Sequence, residues 1–172
     1  MFGKSRKVDT EDELYEIAIR ALMRRSHSVS EMKKLLARRA DSDLLAQVVL
    51  ARLKEGGKLD DSRYAKQFVR QRTEIRRQGK FRIARDLRAR GVPDPHIEAA
   101  LAESAEEHDE AAMVRQRIER KLRATRGEID EKKLASLYRS LLRAGFSADV
   151  VRREVKSATR EELPEAESAT ED

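Results

Sequence analysis

Residues 57–101 read GKLDDSRYAKQFVRQRTEIRRQGKFRIARDLRARGVPDPHIEAAL, and this stretch decides the fold. The acids Asp60 and Asp61 suit the positive end of a helix and its free N–H groups. Tyr64, Ala65, Phe68 and Val69 then form an apolar stripe at helical spacing. Gly79 interrupts the pattern, Ile83 and Leu87 resume it, and Gly91 closes a second helix. Pro93-Asp94-Pro95 opens a third, where proline is tolerated, with Ile97 and Leu101 facing inward. The stretch is therefore one three-helix unit.

Looser copies flank it. Leu14, Ile17, Ala18, Ala21 and Leu22 mark a helix from Glu11. Ser28-Val-Ser-Glu31 fits a capping box for a second helix carrying Met32, Leu35 and Leu36. Asp41 or Ser42 caps a third, with Leu44, Leu45, Val48, Val49 and Leu53 inward and Gly56-Gly57 as its stop. On the other side Val114, Ile118 and Leu122 line one helix. Leu134, Leu137, Tyr138, Leu141 and Leu142 line the next, up to Gly145. Ser147 caps a last helix bearing Val150, Val151 and Val155. Leu87, Gly91, Val92, Ile97 and Leu101 overlay Leu141, Gly145, Phe146, Val151 and Val155 at a constant offset of 54. Against the first unit the offset is 52, with Arg39 where the glycine would stand, so that copy must turn differently. A period near 50 residues, with each unit leaving an apolar face uncovered, predicts an all-α fold of three tandem three-helix repeats. The expected boundaries are a disordered N-terminus at 1–10, repeats at 11–57, 58–104 and 105–157, and an acidic disordered tail at 158–172.

Composition fits that class. Charged residues are 41% of the 172 and aromatics 4%, with no Trp, which suits solvated helices with thin aliphatic seams. There is no cysteine, so disulfides and thiolate metal sites are excluded and a reducing cytoplasm is expected. No apolar run approaches the roughly 20 residues of a membrane span, and the N-terminus has no apolar segment of a signal peptide.

Candidate chemistry is sparse. His27, His96 and His108 fall in different repeats without i, i+3 or i+4 partners, so no metal site is expected. Asp60-Asp61 reads as a helix start rather than an acid–base pair, and no phosphate loop, dinucleotide fingerprint, zinc-protease or serine-hydrolase motif occurs. Neither catalysis nor a cofactor is expected.

The charge pattern is more informative. The net charge of +6 divides into +11 for residues 1–157 and −5 for 158–172. Within residues 62–92 stand eleven basic residues against Glu74 and Asp86, a local net of +9, with arginine over lysine nine to two. Because the apolar stripes face inward, most of these cations project outward. The planar guanidinium pairs bidentately with phosphate or carboxylate. Arg70, Arg77, Lys80, Arg82 and Arg85 are the candidate partner- or DNA-binding residues. Arg115, Arg117, Arg120, Lys121, Arg123 and Arg126 extend the theme. A solvated helical surface is the alternative reading. Phe81, between Lys80 and Arg82, is expected to pack at the helix junction rather than to stack on a base. No helix carries a cluster suited to sequence-specific groove reading, so any DNA contact is expected on the backbone. The acidic tail is expected to lie over the basic face and weaken non-specific DNA binding.

These residues resemble the RecX family over roughly 12–157. Gly57-Lys-Leu-Asp-Asp-Ser-Arg-Tyr-Ala65 is similar to the family's G-x-L/I-D-D-x-R-F/Y-A opening. Gly79-Lys-Phe-Arg-Ile83 and Asp86-Leu-Arg-Ala-Arg-Gly-Val92 resemble its glycine-led and closing segments, and Ala18 through Glu31 its start. The first repeat departs in having Arg38-Arg39-Ala40 at the K-G step. The resemblance implies an elongated, curved array that acts as a monomer and binds RecA and the RecA–DNA filament. It implies inhibition of recombinase, ATPase and co-protease activity, by blocking extension or promoting disassembly, and so restraint of the SOS response. The alternative from a different class is a stand-alone, non-specific nucleic-acid-binding helical protein.

Overall fold

The computed structural model describes residues 7–125 and 130–161, the side chains of 160 and 161 excepted. Nine helices occur among them. They are α1 (Glu11–Arg24), α2 (Val29–Arg39), α3 (Asp43–Glu55), α4 (Asp61–Glu74), α5 (Lys80–Ala89), α6 (Asp94–Glu107), α7 (Glu110–Ala124), α8 (Glu131–Arg143) and α9 (Ala148–Glu161). Taken three at a time in chain order, they are the helices of the three repeats. Arg126 and the segment 162–172, which holds most of the acidic tail, lie outside the described residues. The helix α9 runs through residues 158–161, past the expected start of the tail.

The chain forms two compact units. One takes the chain up to Arg70 together with Ala84–Leu101; the other takes Gln71–Ile83 together with the chain from Ala102 onward. The helices α4, α5 and α6 each contribute residues to both.

In the first unit the cap chemistry sets the helix ends. Ser28 and Glu31 form a complete capping box at α2, and the Ser42 side chain accepts from the Leu45 N–H at α3. The stripes bury Leu14, Met32, Leu36, Val49 and Leu53 completely, each burial worth roughly 2 kcal/mol. At α4 the two acids divide their work. Asp60 Oδ1 accepts from the Arg63 N–H at 3.0 Å and caps its own helix. Asp61 Oδ1 accepts from the Val29 N–H at 2.9 Å and so caps α2 instead.

Several expectations are corrected. Val8 is not part of a loose end: it is buried, donates its N–H to the Arg39 carbonyl and accepts from the Asp41 N–H, both at 2.8 Å. This short bridge to Ala40 is the different turn of the first repeat. Without a glycine, the chain leaves α2 extended, and its exposed backbone groups find a β-branched partner segment. On α3 the buried residues are Ala46, Val49 and Leu53, leaving Leu44 71% exposed and Val48 also exposed. Leu142 is likewise exposed, and Phe81, 60% exposed, does not pack at the helix junction.

The second unit has its own core of Val114, Ile118, Leu137, Leu141, Ala144, Phe146 and Val151. Glu154, buried on α9, meets the Arg115 guanidinium of α7 at 3.1 Å. The Ser147 N–H and hydroxyl donate to the Glu110 carboxylate at 2.8–2.9 Å, tying the start of α9 to the start of α7.

Candidate functional site

The basic segment between α4 and α5 is fixed by backbone chemistry. Three helices, α3, α5 and α8, end on a glycine with positive φ: Gly57, Gly91 and Gly145. In each the next N–H returns to the carbonyl five residues back, the left-handed closure that glycine favours. The end of α4 differs. Its closure is one residue wider, from the Gln78 N–H to the Arg72 carbonyl at 3.0 Å, and Arg77 sits at φ 49°. Beyond it, the Gly79 N–H donates to the Ala144 carbonyl at 2.8 Å and the Phe81 N–H to the Gly145 carbonyl at 3.0 Å. A β-carbon at Gly79 would collide with the Gly145 carbonyl. The start of α5 is thus held against the glycine turn after α8.

The first unit contains the equivalent junction. There the Ser28 hydroxyl donates to the Arg90 carbonyl at 2.6 Å, and Gly91 lies against the Ser30 side chain. Arg90 also pairs with Glu31 at 2.9 Å and lies over the Phe68 ring. It is therefore part of the packing rather than of an outward face. Arg88 (to Asp94, 2.6 Å) and Arg63 (to the Gly57 carbonyl, 2.7 Å) make exposed contacts on the surface.

In the second unit the fixed segment forms a cleft of about 520 Å³ with α7 and α8. Its cations are Arg76, Arg77, Arg117, Arg120 and Lys121, and among the described residues no carboxylate lines it. Its apolar wall comes from Ile75, Met113, Ala124, Leu137 and Leu141. Ile75 is 74% exposed beside these cations. Arg117 Nη1 donates to the Arg77 carbonyl at 3.1 Å, which steadies the left-handed residue. Burial, then the neighbouring Arg120 and Arg82 charges, pull the Arg117 guanidinium below its ordinary pKa. Such crowding of like charge is relieved by a bound anion. Arg82 adds a buried Nε without a hydrogen-bond partner among the described residues. Lys80 is partly neutralised by Glu110 at 3.8 Å.

Of the five residues singled out in the sequence, Arg77, Lys80 and Arg82 share the second unit with the cleft. Arg70 and Arg85 belong to the first unit, Arg85 beside Asp86 at 3.6 Å. Arg117, Arg120 and Lys121 join the site from a helix some 40 residues further on, a pairing no local pattern announces. No group of three or more His, Cys, Asp or Glu able to hold a metal occurs among the described residues. No helix among them is long and apolar enough to cross a membrane.

Comparison with known proteins agrees with this architecture. Residues 60–101 match the family model described as RecX, second three-helix domain. The regulatory protein RecX of Halorhodospira halophila is 38% identical over 147 residues, covering 86% of this chain and 89% of that protein. That of Streptomyces coelicolor is 31% identical over 159 residues, covering 92% and 84%. Among solved structures, a regulatory protein RecX superposes with TM-score 0.72 at 20% identity, covering 86% of this chain and 71% of that one. RecX from Lactobacillus salivarius superposes with TM-score 0.70 at 18% identity, covering 87% and 97%. With the Asp-Asp helix start, the glycine junctions and these relatives over most of its length, the chain belongs to the RecX family of regulatory proteins.

Proposed function

We propose that the chain is a non-enzymatic, monomeric cytoplasmic regulator that binds RecA and the RecA–DNA filament. In this reading it inhibits recombinase, ATPase and co-protease activity by blocking extension or promoting disassembly. Its binding modules are the three-helix repeats 11–57, 58–104 and 105–157. The observation that supports this most is the arginine-lined cleft of the second unit, with no carboxylate among its described lining residues, presented by a backbone junction. Acidic protein surfaces and nucleic-acid phosphates both meet such a field favourably, and a nucleoprotein filament offers both. Arg77, Lys80 and Arg82 supply contact from the second unit, Arg70 and Arg85 from the first.

The test is RecA ATP hydrolysis on single-stranded DNA with substoichiometric amounts of this chain, alongside its direct DNA binding. Loss of hydrolysis at levels too low to coat the DNA is expected. Inhibition only at DNA saturation would favour the second reading, a stand-alone DNA-backbone binder, which the excess of arginine also suits.

A further inference from the structure

The cleft of the second unit carries a division of chemistry that its cations alone do not explain. A channel for single-stranded nucleic acid pairs cations with aromatic faces on which bases stack. Here the accessible wall is aliphatic: exposed Ile75 and Ala124 and half-buried Met113, laid over the buried Leu137 and Leu141. Such a wall accepts a Leu-sized side chain, while the surrounding guanidiniums accept carboxylates. The matching ligand is an acidic peptide bearing an aliphatic residue.

The chain contains one. Residues 162–172, ELPEAESATED, hold Glu162, Glu165, Glu167, Glu171 and Asp172, the single large apolar residue Leu163, and no base. The segment is attached to the same unit. In the last turns of α9, Ala158 and Thr159 lie with Leu122, Leu134 and Leu137, and Leu137 is also a wall of the cleft. Eleven extended residues reach about 36 Å, ample for a cleft that shares a wall with the attachment point. Tethering also sets an effective concentration in the millimolar range, so weak contacts suffice.

We propose that residues 162–172 dock in this cleft, with Leu163 toward Ala124 at the end nearest α9 and the later carboxylates on Arg117, Arg120 and Lys121, so that the segment competes with external anions. The inference depends on the chemistry of the cleft and not on which partner the chain regulates.

The experiment uses the full chain, whose lack of cysteine makes Ser168→Cys a unique attachment site for a nitroxide. The readout is the Met113 ε-methyl resonance with the label oxidised and reduced. Docking predicts a loss of Met113 intensity with the oxidised label. That loss should be relieved in 1 M salt, where the Debye length falls to about 3 Å, and in the Arg120→Glu/Lys121→Glu variant. Equal Met113 intensity in both label states overturns the proposal. So does a loss unchanged by salt and by charge reversal, which reports attachment nearby rather than docking. The salt comparison uses the native residues and stands if the variant proves unfolded by circular dichroism.

Discussion

Gly79 and Gly145 meet backbone to backbone, so that neither has room for a β-carbon. Gly145 carries a further constraint, a φ of +93°, with the Arg82 backbone where its side chain would go. Gly57 has a positive φ too, +64°, but open space around it. The two glycines therefore separate conformational cost from collision. Gly57→Ala should cost about 1 kcal/mol, the ordinary penalty of a left-handed alanine. Gly145→Ala should cost more than about 2 kcal/mol, because the junction must also open. Thermal denaturation of both variants checks this. Equal losses would mean that the close packing of Gly145 against Arg82 and Gly79 contributes nothing.

Arg77 is a charged residue where the other turns use glycine. Its left-handed conformation is disfavoured by about 1 kcal/mol relative to glycine. Among the described residues its carbonyl accepts from Arg117, and Arg77→Gly leaves that acceptor in place. The variant should therefore be more stable by up to about 1 kcal/mol. It should also inhibit RecA-dependent ATP hydrolysis less, because one cation leaves the cleft. A rise in melting temperature with a fall in inhibition would show that the side chain is kept for binding. A loss of stability would refute the strain at this turn.

Much of the scaffold was readable because its signals are local. The Ser28–Glu31 capping box, the Asp60 cap and the glycine stops each depend on a few neighbouring residues. The apolar face of α3 was misjudged because its large residues at 44, 45, 48, 49 and 53 surround much of the helix. The small Ala46, which lies inward, gave no weight to the buried side. Val8 was missed since a single apolar residue in a polar run has no periodicity; its partner carbonyl belongs to Arg39. The site was half legible for a related reason. Charge density marked Arg77, Lys80 and Arg82, but the pairing of Arg77 with Arg117 is tertiary, as is the division that sends Arg70 and Arg85 to the other unit.

That division yields a contrast between two sets of charge reversals. Arg77→Glu/Lys80→Glu/Arg82→Glu alters the unit that carries the cleft, and Arg70→Glu/Arg85→Glu alters the other. Three charge-assisted contacts at about 1.5 kcal/mol each exceed the 1.4 kcal/mol of one decade in affinity. The triple variant should therefore need at least roughly tenfold more protein for half-inhibition of RecA-dependent ATP hydrolysis. The double variant should lose less. Circular dichroism should stay helical in both. Wild-type inhibition by the triple variant would remove these residues from the contact surface.

The last prediction concerns the turn between α1 and α2, where two titratable groups act in the same direction. His27 is buried with Nδ1 2.9 Å from the Arg25 carbonyl, an acceptor that requires the Nδ1–H tautomer. Burial, joined by the Arg25 and Arg24 charges, lowers its pKa from 6.5 despite that hydrogen bond and the Glu31 carboxylate. For Glu31 burial alone would raise the pKa. The Arg25 guanidinium, the Ser28 N–H and the Arg90 charge outweigh it and hold the carboxyl below its ordinary 4.5. Both groups bind protons more tightly in the unfolded chain, so stability rises with pH across each window. The contribution of His27 is complete above its unfolded pKa of 6.5 and is lost as pH falls through its lower folded pKa. That of Glu31 is complete above 4.5 and is lost below it in the same way. His27→Gln should therefore flatten the pH dependence of urea denaturation just below pH 6.5 while leaving the acid limb below 4.5 intact. Glu31→Gln should do the reverse, at a cost in stability at pH 7 because the capping box and the Arg90 pair lose their charge. An unchanged slope below pH 6.5 in His27→Gln would show that the imidazole titrates alike in the folded and unfolded chain.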